Sequence, residues 1–396
     1  MSLSMIVRDE AASLPSCLAS VRGLVDEMVV VDTGSRDDTV AIARAAGAVV
    51  CQLPWPGDFA AARNAALDWV TGEWVLVLDA DERLQPRAIP SLRQAMAQPD
   101  VLLVTLLRQE CGARQSPFSS VSRLFRRHPR IHWSGADHAM VDDSVEALRA
   151  QEPQWRVLHC PVPALLHEGY RPERIEAGKK EERLRQAMEA ELRRHPNDPY
   201  TCAKLGGLEI SGGDRTRGIA LLRRGLAHCS PEAHPERYEL LLHLALALGG
   251  DDPVAAVPLY RQALALPLDP RLTLAARLNL AALLLEKGQI AEAVALAREA
   301  TRVAPEVAHG WSCLGLALRR DGHLVDAITA YRQALSIEPH HAESHQNLAL
   351  ALLLTGDVLG ARHHFQTAIG HLEAQGRGKD AQTLRRTAGT LVKLDP

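Results

Sequence analysis

The stretch WVLVLDADER, residues 74–83, runs from five apolar residues straight into Asp79-Ala80-Asp81. A short apolar run without polar alternation is the pattern of a strand covered on both faces, as in a parallel sheet flanked by helices. Residues i and i+2 of an extended chain point the same way, so both carboxylates leave the carboxyl end of that strand, where open α/β sheets bind ligands. Two carboxylates there call for a cation. Mg²⁺ or Mn²⁺, held by carboxylates and the phosphates of a substrate, is the chemistry that matches. Taken alone, the same residues also fit an ordinary Asp-rich turn.

Working back toward the N-terminus, apolar runs at 3–7, 27–32 and 48–53 alternate with amphipathic stretches near 12–21, 38–46 and 59–70. This β-α-β-α-β-α-β order predicts a doubly wound α/β layer. Segments 101–108, 121–126 and 156–165 read as further strands with irregular connections. The second run ends VVVDTGSRDDT, which places Asp32 at a sheet edge before a turn where Ser35 or Asp37 can also cap a helix. WPGDFAAARNAAL sets Trp55, Asp58, Arg63 and Asn64 at a helix start, where a capping Asp and a surface Arg are the plain alternative.

From about Glu173 the chain turns to long Ala/Leu/Arg-rich segments with a 34-residue period. Gly288, Gly322 and Gly356 share one register, as do Ala293, Ala327 and Ala361, then Ala300, Ala334 and Ala368, and Leu280, Leu314 and Leu348. The bulkier site between the alanines holds Ala297, Tyr331 and Phe365. This resembles the tetratricopeptide repeat, in which small residues let two antiparallel helices approach and Gly closes the turn between them. The expected organisation is an α/β domain over 1–172, a linking helix over 173–198, about five repeats over 199–373 and a capping helix over 374–396.

Composition narrows the classes further. The 396 residues carry 45 Lys+Arg against 48 Asp+Glu, a net charge of −3, which argues against a nucleic-acid partner. Apolar residues make up 46% and aromatic residues 4%, which suits Ala/Leu-rich helices better than a β-sandwich. The seven cysteines form no CxxC pair, excluding a zinc ribbon and suiting a reducing compartment. No apolar run reaches membrane-spanning length, and charge comes too early for a signal peptide, so a cytoplasmic chain is expected.

In order and spacing, SMIVRDEAASLPSCLASV, VVVDTGSRDDT, FAAARNAAL and WVLVLDADER resemble the N-terminal half of family 2 glycosyltransferases with the GT-A fold. The VDTGS, W-x-x-DF-x-x-ARN and LDADE versions are similar to a bacterial subgroup that joins this domain to C-terminal tetratricopeptide repeats, with relatives among the sublancin-type peptide glycosyltransferases. The likeness continues through SRLFRRHPRIHWSG and LLHEGY. It implies a nucleotide-sugar site built from Asp9, Asp32, Asp58, Arg63, Asp79 and Asp81. Asp32 and Arg63 would lie at the uracil end, with Asp79 and Asp81 at the diphosphate. It further implies Mn²⁺ or Mg²⁺ held by Asp81 and Asp79, with His167 as a third ligand. The family pattern calls for Glu at the position of Ala139, and the departure leaves Asp137 or His138 as the base that takes the acceptor's proton.

These readings converge on a metal-dependent, inverting glycosyltransferase. It would move a sugar from a nucleotide-sugar donor, a UDP-sugar, to a peptide, protein or glycan gathered by the repeats. They leave room for a homodimer. The alternative is a non-catalytic repeat scaffold with a degenerate sugar-nucleotide domain. An Asp-dependent phosphotransferase fails because Arg83 stands where that chemistry places Thr. His340, His341, His345, His363, His364 and His371 are expected on different, solvated helix faces. Cys111 and Cys313 are expected as packing residues, and Asn279 and Asn347 as helix-packing positions.

Overall fold

The structure is a computed structural model and describes residues 1–113, 116–135, 139–168 and 177–394. The chain divides into two compact units, Met1–Lys180 and Glu181–Pro396.

The first unit holds strands β1 (Ser2–Val7), β2 (Glu27–Asp32), β3 (Val49–Gln52), β4 (Trp74–Val77), β5 (Glu82–Leu84), β6 (Val101–Glu110), β7 (Phe118–Arg126) and β8 (Arg156–His167). Between them run helices α1 (Leu14–Ser20), α2 (Thr39–Ala45), α3 (Phe59–Leu67), α4 (Ile89–Met96) and α5 (Asp142–Gln151). The strands form one sheet in the order β3-β2-β1-β4-β7-β6-β8-β5. The first four pair in parallel, as the doubly wound reading expects. Beyond β4 the sheet turns mixed, because β7 joins β4 and β6 antiparallel and β5 joins β8 antiparallel.

Strand periodicity sorts the core onto two faces. Leu3, Met5, Leu76 and Leu78 pack with Leu14, Leu18, Ala43 and Leu92. Val29, Val31, Val75 and Val77 pack with Ala60, Ala66, Val145 and Leu148 on the other side. Strand order reverses at β1, with β2 on one side and β4 on the other, so a crevice opens at their carboxyl ends. Register Val7↔Asp32 keeps the ends of β1 and β2 level there.

Helix α6 (Ala177–Arg194), most of which belongs to the second unit, is followed there by α7 (Pro199–Ser211), α8 (Arg215–His228), α9 (His234–Gly249), α10 (Pro253–Leu264), α11 (Leu274–Glu286) and α12 (Ile290–Val303). Next come α13 (Ala308–Arg320), α14 (Leu324–Ile337), α15 (Ala342–Leu354), α16 (Val358–Ala374) and α17 (Gly378–Gly389). Gly288, Gly322 and Gly356 take φ of 73°, 82° and 87°, the left-handed region open to Gly. The residue after each donates its N–H back across the turn, as Gln289 does to the Leu284 carbonyl at 2.9 Å, which satisfies helix-end carbonyls. The repeating alanines are buried, and a Cβ added at Gly315 would stand 2.6 Å from the Tyr331 ring, so this small residue sets how closely α13 and α14 approach. Ala381, Leu384 and Ala388 of α17 cover Phe365, Ala368 and Leu372.

The histidines depart from the expectation of separate, solvated faces. His345 is 8% exposed and its ring lies 5.1 Å from that of His364 and 5.4 Å from that of His371. His340 packs on His371 and His363 on His364. The sequence assigns each His to a helix position, but only the crossing of α15 and α16 brings the rings together. Among the described residues, no helix is long and apolar enough to cross a membrane.

Candidate active site

The acidic turn after β4 is fixed from below by Glu82, whose side chain is fully buried. Asp79 N–H donates to Glu82 Oε2 at 2.9 Å, and Arg108 Nη1 donates to Glu82 Oε1 at 2.7 Å. The main chain closes as Glu82 N–H donates to the Asp79 carbonyl at 3.0 Å. A buried carboxylate is tolerated because its oxygens are met by donors and by a guanidinium. The result aims Asp79 and Asp81 outward from a rigid base.

Asp79 accepts from Arg63 Nη2 at 2.6 Å on one oxygen and from Arg123 Nη2 at 2.7 Å on the other. Burial opposes its ionised form, but Arg123 and Arg63 overcome that and hold its carboxyl far below the usual range. Arg63, which the resemblance puts with Asp32 at the uracil end, is instead bonded to Asp79, the residue expected at the diphosphate. Burial, then repulsion from Arg123, holds the Arg63 guanidinium below its ordinary pKa.

Asp81 Oδ2 lies 3.2 Å from His167 Nε2 at the end of β8, and Glu110 holds His167 Nδ1 at 2.5 Å. Burial opposes the imidazolium, yet the hydrogen bonds from Asp81 and Glu110 outweigh it and push the His167 pKa up to about 9. These residues fit a divalent cation. Asp81 and His167 would hold the ion from two elements, and a carboxylate on the far imidazole nitrogen, as Glu110 supplies, is the usual support of a metal-ligating His. Among the described residues no group of three His, Cys, Asp or Glu side chains could hold a metal by itself.

Asp9 and Asp32 meet in a second cluster. Asp9 has a φ of 55°, unusual for a residue with a side chain. Its N–H donates to Ser35 Oγ at 2.9 Å and its carboxylate accepts from Arg36 N–H at 2.6 Å. Asp32 accepts from the N–H groups of Gly34 and Ser35 at 3.2 Å each. Asp58 stands apart from both clusters as the N-cap of α3, accepting from Ala61 N–H at 3.0 Å. Asp137 and His138 lie outside the described residues. Ala139 packs against the core that contains Phe125 and Trp133.

Four members of the network, Glu82, Arg108, Glu110 and Arg123, carry no motif that marks them as site residues in the sequence. The available signal was charge inside otherwise apolar strands, LLRQE and SRLFR. A charge in such a place is rarely buried unless it is paired. Asn64, beside Arg63, locks the neighbouring segment by accepting from Trp133 N–H at 2.7 Å and donating to its carbonyl at 3.0 Å.

Comparison with known proteins agrees with this arrangement. Residues 2–160 match the glycosyl transferase family 2 model, and residues 278–339 and 314–379 match the tetratricopeptide repeat model. A TPR repeat-containing protein of Synechococcus elongatus is 47% identical over 306 residues, covering 77% of this chain and 76% of that one. An uncharacterized glycosyltransferase of Rickettsia felis is 32% identical over 136 residues, 32% of this chain and about half, 48%, of the relative. The SPbeta prophage-derived glycosyltransferase SunS of Bacillus subtilis is 25% identical over 212 residues, 50% of this chain and 46% of the relative. A GT-A-type sheet with its acidic turn, followed by repeat helices, thus has the same order as the matched models, and the chain belongs to the family 2 glycosyltransferases that carry C-terminal tetratricopeptide repeats.

Proposed function

We propose that this glycosyltransferase takes a UDP-sugar, or a closely similar nucleotide-sugar, and transfers the sugar with inversion to a peptide or protein held by its repeats. The observation that carries the reading is the Asp79–Asp81 turn at the strand-order reversal, with Asp81 and His167 3.2 Å apart. Asp32 and Asp9 would face the nucleoside, Asp58 would border it from the start of α3, and Arg63, Asp79 and Asp81 would face the diphosphate. Asp81 and His167, supported by Glu110, would hold Mn²⁺ or Mg²⁺. When bound, that ion offsets the charge of the diphosphate. Inversion requires one displacement and one base, a role given to Asp137 or His138. Seven free thiols suit work in a reducing cytoplasm.

Ala139, partly buried against the core where the family pattern calls for an acid, favours a second reading, a repeat scaffold that binds the nucleotide-sugar without turnover. A donor screen separates the two. Hydrolysis and thermal shift with UDP-, GDP- and dTDP-sugars, with and without Mn²⁺, should give a Mn²⁺-dependent shift and slow hydrolysis with UDP-sugars. A shift with no hydrolysis and no transfer under any condition would leave the scaffold reading.

A further inference from the structure

Three N–H donors beside the Asp79 carboxylate are buried and meet no acceptor among the described residues: Arg63 Nη1, Arg123 Nη1 and Trp133 Nε1. They belong to one cluster. The Arg63 guanidinium carbon stands 4.9 Å from the Trp133 ring centroid and that of Arg123 stands 6.0 Å from it. Both guanidiniums already bond Asp79 through Nη2, which leaves Nη1 on each as surplus. Arg63 is 8% exposed, Trp133 3%, and the Arg123 side chain 12%.

An unmatched buried donor is costly, more so when charged, so folded proteins keep few of them. Three around one carboxylate point to a missing partner. The charge balance agrees. Two guanidiniums share the single negative charge of Asp79, while Glu82 is committed to Arg108 and to a backbone N–H. The missing partner must accept several hydrogen bonds and carry negative charge, which describes a phosphoryl group. The cluster reaches solvent through Asp79, whose side chain is 34% exposed at the carboxyl end of β4.

We propose that Arg63, Arg123 and Trp133 form an oxyanion subsite for the donor's diphosphate, with Asp79 as the positioning residue that holds both arginines. The proposal rests on the glycosyltransferase reading. In the transfer, the bond from the anomeric carbon to the diphosphate oxygen breaks and its electron pair stays on the diphosphate. The acceptor's nucleophilic atom bonds the carbon and its proton passes to the base. The subsite receives the charge that develops on the leaving diphosphate, where preorganised donors act most strongly. It works beside the Asp81–His167 pair, so part of the diphosphate affinity is independent of metal.

The test is calorimetry on the full chain in EDTA with pyrophosphate, UDP and uridine as probes. Wild type should bind pyrophosphate and UDP but uridine far more weakly. Arg123→Met should weaken pyrophosphate and UDP by about tenfold or more, and Trp133→Phe, which keeps the ring and removes the donor, by about threefold. Circular dichroism establishes that each variant is folded, and Arg123→Lys, which keeps charge but loses the second donor arm, serves if the methionine variant is not. Absence of metal-free pyrophosphate binding, or equal binding by wild type, Arg123→Lys and Trp133→Phe, overturns the subsite. Pyrophosphate binding that depends on Arg123 supports the subsite even if no sugar is ever transferred, an outcome that would overturn the transferase reading alone.

Discussion

The two units differ in how much charge they bury: the second has Glu209, paired with Arg185 and Arg217, and the first has a whole network. The first places Glu82, Glu110 and Arg63 at under one-tenth exposure and packs Arg108 and Arg123 against them, so charge sits inside the sheet domain. The second closes its helix pairs with alanines, leucines, Tyr331 and Phe365. A buried ion network adds little net stability compared with apolar packing, and removing one partner is severe. The contrast teaches that the repeats are built to stack, whereas the sheet domain holds charges in place for a ligand.

Glu82→Ala should break this contrast most strongly, because it leaves Arg108 unmatched and unties Asp79. A loss of about 3–5 kcal/mol is expected in the first unit. Five of the six tryptophans, at 55, 69, 74, 133 and 155, lie there, so fluorescence-detected urea unfolding should shift while the helical circular dichroism of the repeats holds. An equal shift in both signals would contradict separate cores.

Asp81→Asn should sharpen the contrast by sparing the fold. We expect Mn²⁺-dependent UDP affinity to fall about tenfold or more and transfer about 10²-fold, with little change in unfolding. UDP affinity that is the same with Mn²⁺ and with EDTA in the wild type would remove the metal from the site.

Gly315→Ala tests the repeats in the same way. The new methyl would meet Tyr331 ring atoms at 2.6–2.9 Å, and overpacking of that kind costs about 1–3 kcal/mol. Helical circular dichroism should lose its midpoint while UDP binding persists. A neutral variant would show that Tyr331 swings aside freely.

The smallest effect concerns pH. Burial and the neighbouring His345 lower the His364 pKa from 6.5 to about 4, and burial lowers that of His345 as well. The folded chain therefore binds fewer protons than the unfolded chain below 6.5. Stability of the last repeat is full above pH 6.5 and falls as pH drops from there toward 4. His364→Phe should flatten the decline in melting temperature between pH 7.5 and 5.5; an unchanged slope would move its origin elsewhere.

Legibility followed the distance over which contacts are made. The repeats were readable because each helix packs on its neighbours, so Gly322, Ala327 and Ala334 report their roles through spacing alone. The strands carrying Asp32 and Asp79 were readable because their apolar runs are short and uninterrupted. Asp58 shows the limit of such reading, since the same residue fits a ligand contact or the helix cap it makes here.

Sequence by itself determined the order of domains, the repeat register, the acidic turn after β4 and the resemblance that those motifs carry, all set by neighbours along the chain. Tertiary structure alone decided that Arg63 and Arg123, 60 positions apart, share Asp79. It also decided that Glu110 backs His167 and that five histidines gather in the last repeat. Such pairings depend on which strand lies beside which, and β7 enters next to β4 while β6 lies between β7 and β8. Spacing in sequence cannot encode that order, because the free energy that selects it comes from burying both faces of the sheet at once.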